Sequence, residues 1–256
     1  MSQESSHDEV TDNFDYFSNP SWRIFRIMSE FVEGFTFLAK IQKSVTFFGS
    51  ARLPENNRYY KMAYTLGKRL AQEGYTIVTG GGPGIMQAGN QGAFEADGKS
   101  VGINIQLPAE QRVNPYVKDS ISLHYFFSRK VMLDFSAEAY VFFPGGYGTM
   151  DEFFELITLI QTGKMSKDVP VIMMGTDFWQ PLADWMENTM LNKLETISAK
   201  DLDLWTLTDD IDEAVSLITR QVDKQEAKRV IKKGRKNKTP EDKLREATRP
   251  MAGTEQ

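Results

Sequence analysis

The residues best placed to do chemistry are a glutamate, an arginine and a set of glycine-bearing turns. Glycine recurs at Gly49-Ser50, through Gly80-Gly81-Gly82-Pro83-Gly84, and in Pro144-Gly145-Gly146-Tyr147-Gly148-Thr149. Glycine lets backbone N–H groups approach an anion closely, and where such a turn opens a helix the helix N-terminus adds partial positive charge. Side by side, the two longer turns make a phosphate cradle, with the Thr149 hydroxyl as an extra donor. One such turn alone reads equally well as a tight strand–helix connection; two at this density favour a ligand. Neither turn fits G-x-G-x-x-G, and neither is followed by Lys-Ser or Lys-Thr. A dinucleotide or a P-loop triphosphate is therefore disfavoured, and a ligand with a single phosphate is expected.

Glu152 follows Thr149 by three residues, so the spacing predicts it on the first turn of the helix that the last glycine turn opens. A carboxylate beside a bound phosphate is costly unless it serves another part of the ligand, although acids are also common in first helical turns. Glu155 lies one turn further along the same face with less claim on the ligand, and Asp151 is expected at the surface. Arg129-Lys130 starts a helix after the aromatic run Tyr125-Phe126-Phe127. Cations there oppose the helix dipole, which predicts an anionic ligand or a carboxylate partner for them, a plain surface pair being the alternative. His124 is expected to be a half-buried structural residue.

These residues need elements to position them. Val45–Phe48, Tyr75–Thr79, Val101–Ile105, Tyr140–Phe143 and Val169–Met174 read as strands, rich in Val, Ile, Phe and Tyr. Helices are predicted over Arg58–Gln72, Ile85–Ala96, Ser128–Ala137, Met150–Gln161, Phe178–Asn192 and Ile211–Val222. Strands apolar on both faces and separated by helices predict a parallel sheet covered on both sides, a Rossmann-like doubly wound α/β fold of three layers. Ligands in such a sheet bind beyond the carboxyl ends of the strands, where the glycine turns fall. Leu107–Leu123 is expected to be irregular.

Ahead of this unit, Asn19-Pro20-Ser21 predicts a helix start. Its stripe of Trp22, Phe25, Met28, Phe31, Val32, Phe35 and Leu38 is expected to pack on its own domain or on a twin subunit. Residues 1–18 form a polar, acidic tail expected to be disordered, residues 19–221 a single domain with its N-terminal helix over 19–43, and residues 222–256 a charged, basic extension. The chain carries a net charge of −5, so a basic tail sits on an acidic body. Contact of that tail with nucleic acid is not favoured, because it lacks interleaved aromatics.

Composition removes other classes. The chain has 256 residues, 41% of them hydrophobic and 25% charged, with no cysteine and two histidines. A disulfide framework, a thiolate metal site and a cysteine nucleophile are excluded, and no metal or cofactor is expected. No apolar run is long enough to span a bilayer and no signal core opens the chain, so a cytoplasmic location without membrane contact is expected.

Taken together, Gly81-Gly82-Pro83-Gly84-Ile85-Met86, Arg129-Lys130 and Pro144-Gly145-Gly146-Tyr147-Gly148-Thr149-Met150-Asp151-Glu152 resemble the LOG family, often labelled "lysine decarboxylase-like". Its characterised members are cytokinin riboside 5′-monophosphate phosphoribohydrolases. The last string fits the family's P-G-G-x-G-T-x-x-E at every fixed position, and the likeness covers about Ser44 to Ile218. The resemblance implies hydrolysis of a nucleoside 5′-monophosphate to free base and ribose 5-phosphate, with Arg129 and Glu152 catalytic. It implies substrate contacts at Gly49, Ser50, Gly81, Gly82, Gly84, Met86, Lys130, Gly145, Gly146, Gly148 and Thr149, and a homo-oligomer, at least a dimer. Phe126-Phe127-Ser128 stands where plant-type members usually carry Met-His-x, and the N-terminal helix and Leu107–Gln111 look like the larger bacterial branch. AMP or another purine monophosphate is therefore as fitting a substrate as a cytokinin nucleotide. The alternative on the same fold is a non-catalytic carrier of a nucleotide or of the molybdenum cofactor, which would not need Arg129 and Glu152 together.

Overall fold

The computed structural model describes residues 20–106, 113–220 and 222. Its strands are β1 (Ser44–Phe48), β2 (Thr76–Thr79), β3 (Ser100–Ile105), β4 (Asp119–Leu123), β5 (Ala139–Phe142), β6 (Val171–Met174) and β7 (Thr206–Thr208). Its helices are α1 (Pro20–Leu38), α2 (Arg58–Gln72), α3 (Ile85–Glu95), α4 (Phe126–Asp134), α5 (Tyr147–Gln161), α6 (Thr176–Trp185) and α7 (residues 211–220). A π turn over Met186–Leu191 prolongs α6. Every strand pair is parallel, in the order β4-β3-β2-β1-β5-β6-β7. The fold is the Rossmann-like, three-layer α/β sandwich.

The strands read as continuous apolar runs because both faces are covered. Val45, Phe47, Ile77, Val141, Phe143 and Ile172 face one core with α2, α3 and α7. Phe48, Val78, Tyr140, Phe142 and Met173 face a second core with α1, α4, α5 and α6. Across β1 and β5, Phe48 pairs with Phe142 and their rings stack at 4.8 Å. Trp179, fully buried, packs on Phe153 and donates its indole N–H to the Phe142 carbonyl at 3.1 Å.

α2 follows from its pattern. Asn57 caps it by accepting the Tyr59 N–H at 2.8 Å, and Tyr60, Ala63, Leu66, Gly67 and Leu70 are buried at helical spacing. It packs on α3 almost backbone to backbone: a Cβ at Gly67 would lie 2.7 Å from the Gly89 carbonyl oxygen, and one at Gly92 would press on the Tyr64 carbonyl and lie 2.7 Å from the Lys68 nitrogen. Neither obstacle is a side chain that can swing away. Gly92→Ala is expected to lower stability by about 2 kcal/mol through overpacking, read as a lower urea midpoint; an unchanged midpoint would show that the two helices slide apart freely.

The five expected strands are present, and two edge strands that the sequence does not announce join them. β4 lies inside the stretch read as irregular, because in Asp119-Ser120-Ile121-Ser122-Leu123 only Ile121 and Leu123 are buried. At an edge one face is wet, so the strand alternates instead of running apolar. β7, three residues long, is too short to show a period. The apolar stripe on α1 divides between two environments. Phe31, Phe37 and Leu38 pack on the second core, whereas Trp22, Phe25, Met28, Val32 and Phe35 stay exposed. The acidic tail and the basic extension lie outside the described residues, except that Val222 is buried. Among the described residues no helix is long and apolar enough to cross a membrane.

Candidate active site

Strand order reverses between β1 and β5: the chain winds outward through β2, β3 and β4, then crosses to β5, β6 and β7 on the other side. At such a switch point the loops leaving the two central strands part and open a crevice at their carboxyl ends. Here those loops start at Gly49-Ser50 and at Pro144-Gly145-Gly146, joined by the Ser50 N–H donating to the Pro144 carbonyl at 3.0 Å. A cleft of about 910 Å³ opens there, lined by both loops and by Arg52, Tyr59, Gly80, Met86, Arg129, Tyr147, Gly148, Thr149, Glu152 and Phe178.

α5 starts on this wall. Gly146 precedes it with no side-chain cap, so the N–H groups of Tyr147, Gly148 and Thr149 have no acceptor within the helix. The space around Gly146 and Gly148 is open, while Thr149 is buried with its hydroxyl tucked against Gly145, where a Cβ would collide with it. That combination of free donors and helix dipole suits an anion. The turn after β2 is more committed. Ile85 N–H, at the start of α3, donates to the Ser50 carbonyl at 3.0 Å, and Gly81 N–H to Thr79 Oγ1 at 2.9 Å. Asn114 fastens the same turn, donating its backbone N–H to the Gly81 carbonyl and its Nδ2 to the Gly82 carbonyl at 3.0 Å. Gly81 and Gly84 have φ of +72° and +68°, so the path of the turn itself requires glycine there.

Glu152 and Arg129 both reach the cleft. α5 begins at Tyr147, earlier than the spacing suggests, so Glu152 falls on its second turn and turns inward. The side chain is 8% exposed and its Oε2 has no hydrogen-bond partner. Burial lifts the carboxyl to about 7, with Lys130 and Arg129 opposing the rise and Glu155 and Asp151 adding to it. Arg129, on the first turn of α4, donates Nε to the Ile103 carbonyl at 3.0 Å, which leaves its Nη groups uncommitted by that bond; Nη2 lies where a Cβ on Gly80 would be. Burial lowers its pKa and Glu152 opposes that; the guanidinium remains charged.

Lys130 points the other way along the helix pair. Its ammonium lies 2.8 Å from Asp151 Oδ2 and 2.5 Å from Glu155 Oε2. Burial works against the charge, but the bonds to Asp151 and Glu155 outweigh it and raise the pKa. The pair ties α4 to α5, and with them Arg129 to Glu152. One turn beyond Lys130, Asp134 is buried with Oδ1 unpartnered, and burial, then Glu155 and Glu152, push its carboxyl up to about 8.

The structure thus brings Gly49, Ser50, Met86, Arg129, Gly145, Gly146, Gly148, Thr149 and Glu152 to one cleft. Gly81, Gly82 and Gly84 are buried and do not line it, and neither does Lys130. The His124 ring is exposed rather than half-buried and stands 4.8 Å from Tyr125. Arg52, Tyr59 and Phe178 are additions to the expected wall. Arg52 carries a local signal, standing two residues past Ser50 at a strand end, but Tyr59 and Phe178 arrive through chain crossings that no local pattern reports. Among the described residues no set of three or more His, Asp or Glu side chains is arranged to hold a metal ion.

Comparison with known proteins shows the family and the fold. Residues 86–218, just over half of the chain, match the family model described as "Possible lysine decarboxylase". A cytokinin riboside 5′-monophosphate phosphoribohydrolase of Rhodococcoides fascians is 27% identical over 152 residues, 57% of this chain and 75% of the relative. The rice (Oryza sativa subsp. japonica) enzyme of the same description, LOG, is 28% identical over 155 residues, 58% of this chain and 62% of its own. Among solved structures, a Moco carrier protein from Chlamydomonas reinhardtii superposes with a TM-score of 0.52 at 25% identity, covering 72% of this chain and 99% of the other.

Proposed function

The chain belongs to the LOG family, which also carries the description "Possible lysine decarboxylase", and from that membership we propose that it hydrolyses the base–ribose bond of a purine nucleoside 5′-monophosphate, giving free base and ribose 5-phosphate. The observation that carries this reading is Glu152: a buried carboxyl with a free oxygen, in the same cleft as Arg129 and an uncapped helix N-terminus. The phosphate rests on the N–H groups of Tyr147, Gly148 and Thr149 and on the Thr149 hydroxyl, with binding energy remote from the reacting bond fixing the ribose in place. Ionised Glu152 offsets the positive charge of the oxocarbenium-like sugar and accepts a proton from the water that adds to the anomeric carbon, as the base leaves with the bonding pair and takes up a proton. Lys130 and Arg129 favour the ionised form of Glu152 against its burial. Tyr59 and Phe178 give the base apolar walls. Decarboxylation through a lysine Schiff base finds no support: no lysine is among the described residues lining the cleft.

A homo-oligomer, at least a dimer, belongs to the same reading; the exposed Trp22, Phe25, Met28, Phe126 and Phe127 support it. Incubation with AMP and with isopentenyl-modified AMP, followed by chromatography of the freed base, tests the activity. Base release from one or both is expected, and the faster substrate identifies the base preferred. Nucleotide binding with no release from these or other monophosphates would sink hydrolysis and favour a carrier.

A further inference from the structure

α4 lacks a cap of its own. The residue before its first turn is Tyr125, which offers no side-chain acceptor, and two cations, Arg129 and Lys130, follow within the next turn. Both features work against a helix starting here. The acceptor comes from a different helix. Glu30, one of two buried residues of α1, takes the backbone N–H of His124 on Oε1 at 2.8 Å and that of Tyr125 on Oε2 at 3.3 Å. The Ser128 hydroxyl lies 2.5 Å from the same Oε2. A glutamate at the third helical position reaches back to the N-cap N–H in a capping box; in α4 that position is Ser128, and Glu30 takes its part from 98 residues earlier. α1 comes close enough to deliver it because Gly34, one turn on, leaves room for the Met132 side chain, whose Cγ would lie 2.8 Å from any Cβ there.

We propose that Glu30 is a positioning residue: it clamps the amino end of α4 from α1 and thereby holds Arg129 on the Ile103 carbonyl at the cleft. The Arg129 N–H donates to the Tyr125 carbonyl at 3.1 Å, so the residue Glu30 grips is the one on which the first turn carrying Arg129 closes. This gives the N-terminal helix a part in the site, although none of its residues lines the cleft. The catalytic part of the proposal rests on the hydrolysis proposed above; the clamp itself does not.

The test compares Glu30→Ala, Glu30→Gln and a control, Leu38→Ala, which thins the apolar packing of the same helix without touching the carboxylate. Amide hydrogen exchange and AMP turnover are read together on the full chain. Glu30→Ala is expected to speed exchange at His124, Tyr125 and the first turn of α4 about tenfold. It is expected to lower kcat for base release by about tenfold or more with KM within about twofold, since a displaced Arg129 still leaves the phosphate site intact. Glu30→Gln, which keeps one acceptor oxygen, should fall between it and the parent, and Leu38→Ala should leave both readouts unchanged. Exchange at His124 and Tyr125 that stays at the parent rate overturns the clamp. Turnover that falls equally in Leu38→Ala reduces Glu30 to a stability role. If the parent protein itself frees no base, hydrolysis fails, and the exchange rates alone decide the clamp.

Discussion

Glu152→Gln is expected to lower kcat for base release by about a hundredfold or more, with KM for the monophosphate changed by less than about threefold. Gln has the same shape, so the phosphate seat at the start of α5 and the packing of Phe153 beside it are untouched. It cannot take a proton from water, nor place negative charge under the anomeric carbon. The split between kcat and KM is what separates a group acting in the transition state from one that holds the ground state. A variant that binds AMP normally and turns it over at the parental rate would remove Glu152 from the chemistry.

The pH profile sharpens the same prediction. The carboxyl is lifted from its ordinary 4.5 to about 7, mainly by burial, and the mechanism needs it ionised. In the parent kcat/KM should therefore fall as pH drops below about 7 and level off above it; in Glu152→Gln the residual rate should lose that limb. Stability runs in the opposite sense. The folded carboxyl keeps its proton up to about 7 while the unfolded one loses it near 4.5, so its contribution to stability is full below the unfolded value and is lost as pH rises through the folded one. Glutamine is spared that loss, so Glu152→Gln should be no less stable than the parent at pH 8. Lost activity there cannot be put down to lost folding.

Much of this site was legible because it sits where the local pattern is strongest. Glycine turns after β-branched and aromatic runs mark strand ends, and a parallel sheet places its ligands at those ends. Which strand ends are neighbours is not a local property. The glycines after β2 and after β5 look equivalent along the chain, yet the sheet order puts β1 and β5 at the reversal. Gly145, Gly146 and Gly148 therefore come to the cleft wall, while Gly81, Gly82 and Gly84 are spent on the turn itself. The cationic pair shows the same limit. Its position against the dipole of α4 pointed to an anionic ligand or a carboxylate partner, and carboxylates are there: Asp151 and Glu155 for Lys130 and Glu152 beside Arg129, while Glu30 takes the free N–H groups at the helix end. Spacing on α5 could nominate Asp151, Glu152 and Glu155. Nothing local could nominate Glu30, whose value as an acceptor on α1 appears only once α1 crosses α4. The edge strands escaped for a different reason, since a half-wet strand resembles a loop in composition.

Arg129→Ala is expected to lower kcat/KM by about a hundredfold and to move the acid limb of the pH profile upward. Arg129 is one of two cations that hold the Glu152 carboxyl down against its burial, and the other, Lys130, is already bound to Asp151 and Glu155. Without the guanidinium, Glu152 keeps its proton to higher pH, so part of the lost rate near neutrality should return on raising the pH. Arg129→Lys separates charge from geometry. A lysine ammonium restores the cation and should bring the limb back toward its parental position. It cannot hold the Ile103 carbonyl with one nitrogen while presenting others beside Gly80, as the guanidinium fork does, so the plateau rate should stay well below the parent's. An acid limb that does not move in Arg129→Ala, together with a KM raised about tenfold or more, would show that Arg129 grips the phosphate and that burial and Lys130 alone set the charge on Glu152.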